Sequence, residues 1–333
     1  MFTPAQSRTK TVAIKPITVP TSDRAVPLQV KVTAPAGGRG LPVIVFSHGN
    51  AWSMDGYEPL VDRWATAGFV VVQPTHLDSR RNTMGFDDPR FGTIWRVRID
   101  DLHAVLDHLD TILAEAGDLI DRADPRSVAL VGHSWGAQTV GTLLGARVFD
   151  AQGAAGEDFS HDGAKVGVLI AATGTGDSLT PFAAEHLPFM RPDYATMTTP
   201  ALVIAGDKDQ SKMSTRGPDW FLDAFDLSPA PKRLLVVPGG EHTLGGIAGE
   251  AVSETTDTDT DRVALVADAV TAYLLDALDR DPEAWSRFRD DTEAVEKASF
   301  QHKDRPGPVL PLPARRPPHG SGGPGGLSHT PRR

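Results

Sequence analysis

The residues of this chain whose types and spacing could do chemistry begin with a serine between two glycines. The run is Gly132-His133-Ser134-Trp135-Gly136, and it lies between a β-rich segment, SVALV, and a helical segment, AQTVGTLLGARV. This strand-turn-helix context is typical of a nucleophile elbow, in which the turn exposes the serine Oγ and the glycines let strand and helix approach. Because such a pattern also occurs in ordinary glycine-rich turns, it needs support from elsewhere in the chain.

Two backbone N–H groups are the predicted donors to a developing oxyanion. Trp135 would open the helix that follows the serine, where unpaired N–H groups favour negative charge. Upstream, the strand VIVFS ends in His48-Gly49-Asn50, which matches the turn that supplies a second N–H group to such a site. We predict Asn50 as this donor, with Ala51 as the alternative, because the sequence does not fix the register to within one residue.

A carboxylate and an imidazole follow two later strands. The strand ALVIA runs into GDKD, which holds Asp207 and Asp209, and the strand LLVV is followed by PGGEHTLGG, which holds His242. A neutral imidazole can take the serine proton while a carboxylate fixes its tautomer. The acid of such a site commonly stands third after the glycine, so we predict Asp209 as the acid and His242 as the base. Asp207 would form turn hydrogen bonds, and Glu241 is the alternative acid nearby.

The elements that must position these residues are short apolar runs that alternate with longer stretches of helical period. Runs such as VIVFS and ALVIA are apolar throughout, as in strands that helices cover on both faces of a largely parallel sheet. Since each candidate residue follows a strand, the candidates would meet at the carboxyl edge of that sheet. The predicted strands are 11–19, 28–34, 42–47, 69–73, 127–131, 166–171, 201–205 and 233–237, and the predicted helices are 57–67, 95–116, 134–149, 217–225 and 258–278.

One catalytic domain over residues 1–302 accounts for most of the 333 residues, since α/β folds of about 250 residues often form a single unit. Two insertions, at about 150–165 and 177–197, are longer than ordinary connections of the fold, and such insertions often line or cover a site. For the first we favour a solvated loop, because it carries few large apolar groups. Residues 303–333 are dominated by Pro, Gly and Arg, which predicts a disordered tail.

Composition and charge exclude several classes of function. The formal net charge of −10 would repel a phosphate backbone, and no basic stripe is interleaved with aromatics, so we predict no nucleic-acid partner. The N-terminus has no apolar signal region and no segment is long and apolar enough to span a bilayer, which favours a cytoplasmic protein. The chain has no cysteine, which excludes thiolate chemistry. The oligomeric state stays open.

Metal and cofactor chemistry is not indicated. The alternation of Asp257, Asp259 and Asp261 departs from a calcium loop, because Arg262 stands where that loop needs glycine and Asp268 where it needs glutamate. Acidic residues at the start of a helix are better explained by capping and by the helix dipole. We therefore predict no metal and no cofactor.

Three further side chains are candidates for contact with a substrate. Trp52 and Met54 follow the oxyanion turn, and His76 follows the strand FVVVQ at the same edge of the sheet. Core packing is the alternative for Trp52 and Met54, and a structural role is the alternative for His76.

Taken together, the segments FSHGN, GFVVVQPTH, GHSWG, GDKD and GGEH resemble those of the α/β-hydrolase superfamily over residues 42–278. Within it they are similar to the dienelactone-hydrolase-like, chlorophyllase-like and platelet-activating-factor acetylhydrolase-like serine esterases. The resemblance implies a mostly parallel, eight-stranded α/β-hydrolase sheet with helices on both faces. It also implies an acyl-enzyme on Ser134, with Asp209 and His242 completing a triad and Asn50 and Trp135 forming the oxyanion hole. True dienelactone hydrolases use a cysteine nucleophile, which this chain does not have.

The expected function is therefore a serine hydrolase that cleaves a carboxylic ester, with a small-molecule or lipid-like ester as its substrate and no cofactor. The same acyl-enzyme would also serve a thioesterase, a lactonase or an acyltransferase. A non-catalytic ligand-binding protein of the same fold would normally lack a member of the triad, and none is missing from this sequence.

Overall fold

The structure is a computed structural model, and it describes residues 10–22, 24–82, 84, 88–150, 153–249, 256–294 and 297–304. Most of the predicted tail, 305–333, lies outside the described residues. The strands are β1 (Thr11–Val19), β2 (Leu28–Pro35), β3 (Leu41–Ser47), β4 (Val70–Pro74), β5 (Ala123–His133), β6 (Arg147–Val148), β7 (Val166–Ile170), β8 (Pro192–Asp193), β9 (Ala201–Gly206), β10 (Lys232–Val237) and β11 (Ser299–Lys303).

Nine of these strands form one sheet in the order β1-β2-β4-β3-β5-β7-β9-β10-β11. The six central strands, β4, β3, β5, β7, β9 and β10, pair in parallel. The strands β1, β2 and β11 join the sheet antiparallel to their neighbours. The predicted fold class, a mostly parallel α/β-hydrolase sheet, is confirmed, and each predicted strand lies in this sheet.

The predicted count of eight strands is wrong by one, because β11 was not recognised. Its sequence, SFQHK, has no apolar run, and its side chains are half-buried or exposed. The strand pairs with β10 alone. An edge strand that buries little surface leaves no apolar pattern for sequence reasoning to detect.

Helices cover both faces of the sheet, as predicted. Side chains of β3 alternate between two cores: Val43 and Val45 pack with the helices of residues 94–115 and 135–143, and Ile44 and Phe46 pack with those of residues 58–66, 260–277 and 284–293. Within the described residues, no helix has an apolar stretch long enough to cross a membrane. The helices are α1 (Glu58–Thr66), α2 (Ile94–Asp107), α3 (Leu109–Glu115), α4 (Trp135–Leu143), α5 (Pro181–His186), α6 (Asp223–Asp226), α7 (Thr260–Ala277) and α8 (Ala284–Glu293).

Several helical regions differ from the prediction. The predicted helix 134–149 ends at Leu143, before the strand β6, and the predicted helix 217–225 is mostly a 3₁₀ helix (Pro218–Leu222) followed by the short α6. The stretch 95–116 is divided into α2 and α3 at His108, whose backbone (φ −106°, ψ 19°) leaves the helical region. The helix α8 was not predicted, because most of its residues are polar and it buries mainly Trp285 and Phe288 against the rest of the core.

A third apolar cluster lies over the carboxyl edge of the sheet, and we call it the apolar cap. The predicted insertion 177–197 supplies α5, β8 and the buried side chains Leu187, Phe189 and Met190 of this cap. The insertion therefore lies beside the elbow rather than in solvent. The other buried members of the cap are Leu77, Phe91, Ile94, Trp135, Val148, Ala171, Ala183, Ala205, Trp220 and Phe221.

The first insertion, described from residue 153, is less deeply buried. Phe159 is partly buried, with its ring centroid 6.1 Å from that of Trp95 and the guanidinium of Arg96 4.1 Å above its face. Most of the remaining residues up to 163 are exposed or half-buried.

Candidate active site

Ser134 stands on a strained turn between β5 and α4. Its backbone (φ 55°, ψ −122°) lies outside the regions that side chains other than glycine ordinarily adopt. A Cβ atom at position 132 would lie 2.3 Å from the Gly136 carbonyl oxygen, and one at position 136 would lie 2.0 Å from the Ser47 carbonyl oxygen. Only glycine fits at either position, so the local structure is that of a nucleophile elbow.

The structure brings Ser134, His242 and Asp209 together from the ends of three strands. His242 Nε2 lies 2.9 Å from Ser134 Oγ, and His242 Nδ1 lies 2.9 and 3.2 Å from the two carboxylate oxygens of Asp209. The Asp209 side chain is fully buried, whereas that of His242 is 26% exposed. When Nε2 accepts the serine O–H, the ring proton is on Nδ1 and donates to Asp209.

The two carboxylates of the GDKD turn have different partners. Asp207 is exposed, and its Oδ1 accepts the Gly239 N–H at 2.6 Å. Beside it, the Lys208 N–H donates to the Gly240 carbonyl at 3.0 Å. Asp207 thus binds the GDKD turn to the loop that carries His242. The side chain that faces the His242 imidazole is that of Asp209.

The loop that carries His242 is also bound to the start of α7. Arg262 donates from Nε to the Pro238 carbonyl at 2.8 Å and from Nη1 to Asp257. Asp259 caps α7 by accepting the Asp261 N–H at 2.9 Å. Among the described residues, no three His, Asp or Glu side chains converge in a way that could hold a metal ion. The acidic alternation here serves the loop and the helix cap.

The turn after β3 presents its N–H groups beside the elbow. A Cβ atom at Gly49 would lie 3.5 Å from Ser134 Cβ, so this turn and the nucleophile are adjacent. The Gly49 N–H donates to Tyr57 Oη at 3.0 Å, and the Ala51 N–H is 3.4 Å from Asp78 Oδ2. Within the described part of the chain, the Asn50 N–H has no hydrogen-bond acceptor. This favours Asn50 over Ala51 as an oxyanion donor.

Trp135 is the first residue of α4, directly after the nucleophile. Its N–H belongs to the first turn of the helix, which has no intrahelical acceptors. No other acceptor for this N–H is found among the described residues. Since the helix dipole also favours negative charge here, the Trp135 N–H is placed to serve an anion formed at Ser134.

A buried ion pair, which we call the Arg98–Asp78 clamp, binds the turn His48–Ala51 that follows β3. Arg98 binds the Asp78 carboxylate through Nε (3.0 Å) and Nη2 (2.8 Å), and both side chains are only 1% exposed. Its Nη1 also donates to the His48 carbonyl at 2.9 Å. Burial alone would raise the pKa of Asp78, but the charge and hydrogen bonds of Arg98 outweigh it and lower the pKa to about 2. The clamp is therefore charged at neutral pH.

Two buried histidines, His48 and His76, lie next to the Arg98–Asp78 clamp. His76 Nε2 lies 2.8 Å from Ser47 Oγ, and His76 Nδ1 lies 2.9 Å from Asp101 Oδ2. The backbone N–H of His76 donates to His48 Nε2 at 3.0 Å. Arg24 Nε donates to the other oxygen of Asp101 at 2.7 Å. Burial lowers the pKa of His48 and of His76 well below the usual value, so both rings are neutral at neutral pH. Burial also raises the pKa of Asp101, to about 6, despite the charge of Arg24.

The comparison with known families agrees with this architecture. The family model for chlorophyllases matches residues 1–148, which include the oxyanion turn and the elbow but end before Asp209 and His242. Together with the mostly parallel sheet, this match identifies the fold. The chain has the α/β-hydrolase fold. No curated protein shows significant sequence similarity to it.

The Arg98–Asp78 clamp was not predicted from the sequence, although a signal for it is present. Arg98 and Asp101 recur with Ile94 and Val105 at helical spacing, and all four are buried on α2. A charged residue at an apolar position of a helix requires a buried partner of opposite charge. Sequence patterns indicate this need but do not identify the partner.

The three predicted substrate-contact residues differ in exposure. His76 is fully buried and faces Ser47 and Asp101, and Met54 is 4% exposed. Only Trp52 is half-buried, with its ring centroid 5.8 Å from that of Tyr57. The structure therefore places these three residues around the oxyanion turn, and it does not place His76 on an accessible surface.

Aromatic side chains of the apolar cap lie beside His242 and beside the elbow. The Phe221 ring centroid is 5.6 Å from that of His242. On the side of the elbow, the Trp135 ring centroid is 5.3 Å from that of Phe189 and 6.0 Å from that of Phe91. Apolar rings therefore lie on both sides of the Ser134–His242 pair.

Proposed function

We propose that this α/β-hydrolase is a serine carboxylic-ester hydrolase. One observation carries the proposal: Ser134 Oγ, on a strained elbow, lies 2.9 Å from His242 Nε2, and the other ring nitrogen of His242 lies 2.9 Å from the buried carboxylate of Asp209. A serine hydroxyl is a weak nucleophile by itself and becomes a strong one when an oriented base takes its proton. This arrangement supports acyl transfer through a covalent serine ester.

The acylation step follows from these contacts. Ser134 Oγ would attack the ester carbonyl carbon as His242 Nε2 takes the hydroxyl proton, and Asp209 would stabilise the imidazolium that forms. The N–H groups of Asn50 and Trp135 would donate to the negative oxygen of the tetrahedral intermediate. When this intermediate collapses, the bond to the alcohol breaks, and the leaving oxygen takes the proton from His242.

Deacylation would use the same groups with water as the nucleophile. His242 Nε2 takes a proton from water as the water oxygen attacks the acyl carbon, and the oxyanion again accepts from Asn50 and Trp135. Return of the proton to Ser134 Oγ releases the carboxylic acid and regenerates the enzyme. Water enters in place of the alcohol, so no further co-reactant is needed.

The similarity to chlorophyllases and the apolar cap support a small-molecule or lipid-like ester as the substrate. Phe221 beside His242 and Phe189 beside Trp135 are buried, and they give the surroundings of the site an apolar character that would favour an acyl chain over a charged group. Charged substrates would lose hydration in this environment without a partner among these rings.

Hydrolysis of p-nitrophenyl acetate and butyrate tests the proposal, together with labelling by a fluorophosphonate probe. We expect turnover and labelling in the natural protein and neither in Ser134→Ala, because removal of the nucleophile costs about 10⁶-fold in kcat in enzymes of this type. The exposed Ser160 provides a matched control, and Ser160→Ala should behave as the natural protein.

Absence of both turnover and labelling in the natural protein would contradict the proposal and favour a non-catalytic binding role. A parallel panel of thioesters, lactones and acyl acceptors decides among the reactions that share an acyl-enzyme. Faster acyl transfer to a thiol or alcohol than to water would identify an acyltransferase instead of a hydrolase.

A further inference from the structure

A chain of hydrogen bonds joins the oxyanion turn to the loop of the proposed base. The Gly49 N–H donates to Tyr57 Oη at 3.0 Å, Tyr57 Oη lies 2.8 Å from His133 Nδ1, and His133 Nε2 lies 2.9 Å from the His242 carbonyl oxygen. Both intermediate side chains are buried, Tyr57 fully and His133 with 2% of its surface exposed. We call this chain the Tyr57–His133 relay.

The chemistry of the end groups fixes the direction of every bond in the relay. A backbone N–H only donates and a carbonyl only accepts, so Gly49 is the first donor and His242 the last acceptor. His133 Nε2 must therefore carry the ring proton, and its unprotonated Nδ1 accepts the Tyr57 hydroxyl. Burial lowers the pKa of His133 to about 3, and the nearby His242 contributes in the same direction. The ring therefore carries a single proton near neutral pH.

The relay connects parts of the site that come from distant segments of the chain. Tyr57 precedes α1, and His133 directly precedes Ser134 at the end of β5. The imidazole of His133 packs between two other rings, with centroid distances of 5.6 Å to Tyr57 and 5.0 Å to His242. One of its bonds leads to the turn that precedes Asn50, and the other ends on the backbone of His242 itself.

We propose that Tyr57 and His133 are positioning residues, which hold the His242 backbone and the Gly49–Asn50 turn in a fixed relation to each other. This inference rests on the proposed ester hydrolysis. In that reaction His242 takes the proton of the serine hydroxyl while the Asn50 N–H donates to the oxygen of the ester carbonyl that the serine attacks. A misplacement of about 1 Å between such groups can cost about 10²-fold in rate.

The variant Tyr57→Phe tests the proposal, because it keeps the buried ring and removes only the hydroxyl at the centre of the relay. We expect kcat for p-nitrophenyl butyrate to fall about 10- to 100-fold while KM changes by less than about threefold. A merely structural role would lower stability without this separation of kcat from KM.

Tyr194→Phe is the matched control. Tyr194 is also buried, and its hydroxyl donates to the Thr173 carbonyl at 2.6 Å, outside the relay. Both variants remove one buried tyrosine hydroxyl and its hydrogen bonding, so urea unfolding shows how much stability each loses. The proposal requires that Tyr194→Phe keep kcat within about threefold of the natural protein.

The variant His133→Asn, alone and combined with Tyr57→Phe, gives a second test of the relay. In His133→Asn the amide oxygen can still accept near the former Nδ1, but no donor reaches the His242 carbonyl. If the relay acts as one unit, the double variant should lose no more than about threefold beyond the worse single variant. Losses that multiply would overturn the relay.

A boronic acid that forms a tetrahedral adduct on serine gives a readout of positioning that a change in stability would not move. Phenylboronic acid should bind Tyr57→Phe more weakly by about the same factor by which kcat falls, because it needs the transition-state arrangement. Unchanged kcat and boronate affinity in both single variants, with Ser134→Ala inactive, would overturn the relay alone. Normal turnover by Ser134→Ala would instead overturn the proposed function.

Discussion

The two sides of the proposed site are held in different ways. On the oxyanion side, the turn after β3 is bound by the Arg98–Asp78 clamp, in which each side chain is 1% exposed. On the side of the base, the His242 loop is bound through its Pro238 carbonyl by Arg262, which is 26% exposed, and through its Glu241 N–H by Asp257, which is 3% exposed. The ion pair on the oxyanion side therefore lies wholly inside the protein, whereas the ion pair on the side of the base includes an arginine that solvent reaches.

This difference matches what each side must do. Oxyanion donors stabilise charge only if they are already oriented when the charge develops, and a buried ion pair holds the backbone of the turn without reorganisation. The base must take a proton and return it within one cycle, and its loop contains Gly239, Gly245 and Gly246 in the left-handed region. The partly exposed Arg262 binds this loop to the start of α7.

The largest expected effect lies on the side of the base. Asp209→Asn should lower kcat about 10⁴-fold, because an amide donor next to Nδ1 favours the wrong tautomer of His242. Asp207→Asn removes a carboxylate from the same turn, where Asp207 binds the Gly239 N–H, and should keep kcat within about tenfold of the natural protein. Steady-state kinetics with p-nitrophenyl butyrate compares the two. The reverse order of activity would assign the acid role to Asp207.

The next largest effect concerns stability on the oxyanion side. Asp78→Asn leaves the Arg98 charge buried without its counter-ion and should lower the free energy of unfolding by about 3 kcal/mol. Asp118 provides the control: it pairs with Arg122 but is 72% exposed, so Asp118→Asn should cost less than about 1 kcal/mol. Urea denaturation at pH 7 measures both. Equal losses would remove the distinction between a buried clamp and an exposed pair.

The pH dependence of stability sharpens the comparison further. The pKa of His133 is lowered from 6.5 to about 3 in the folded protein, so below pH 6.5 the unfolded chain binds a proton that the folded protein does not. The stabilisation by neutral His133 is therefore complete above about pH 6.5 and is lost as the pH falls toward 3. The stability advantage of the natural protein over His133→Asn should shrink by about 2 kcal/mol between pH 7 and pH 5.

Urea unfolding of both proteins at the two pH values measures this difference. Comparing the variant with the natural protein at each pH cancels the titration of the other buried groups, His48, His76 and Asp101. A stability difference that does not change with pH would mean that His133 titrates normally in the folded state.

The smallest effect is expected for Arg262→Gln on the side of the base. Arg262 is 26% exposed and its partner Asp257 is 3% exposed, so loss of this ion pair should cost more than loss of an exposed pair and less than loss of the clamp, about 1.5 kcal/mol. We expect kcat to fall by less than about tenfold, because the loop remains tied to Asp207 through Gly239. A loss of stability as large as that of Asp78→Asn would show that both sides of the site are held equally firmly.

Much of the fold could be predicted because its signals are local. Short apolar runs identified each strand from β1 to β5 and also β7, β9 and β10, and those that helices cover on both faces, such as β3 and β9, are apolar along almost their whole length. The elements that were missed, β11 and α8, are largely polar and lie at the periphery. Their positions depend on the pairing of β11 with β10 and the packing of α8 on α7, which local patterns do not record.

The sequence by itself also determined the candidate nucleophile, since the glycines around Ser134 are required by the close approach of β5, α4 and Ser47. It named Asp209 and His242 from their order along the chain, and it left Asn50 against Ala51 open. Only the tertiary structure favours Asn50, because the Ala51 N–H faces Asp78, which enters the turn from another segment.

The Arg98–Asp78 clamp and the Tyr57–His133 relay were likewise decided by the tertiary structure alone. Their members lie 20 and 76 residues apart in the chain, and a hydrogen bond has no periodicity that could reveal its partner in advance. Strands and turns depend on neighbouring residues and can therefore be recognised in sequence. Buried polar partners depend on which segments the sheet brings together, and for this protein that is what fixes the geometry of the proposed active site.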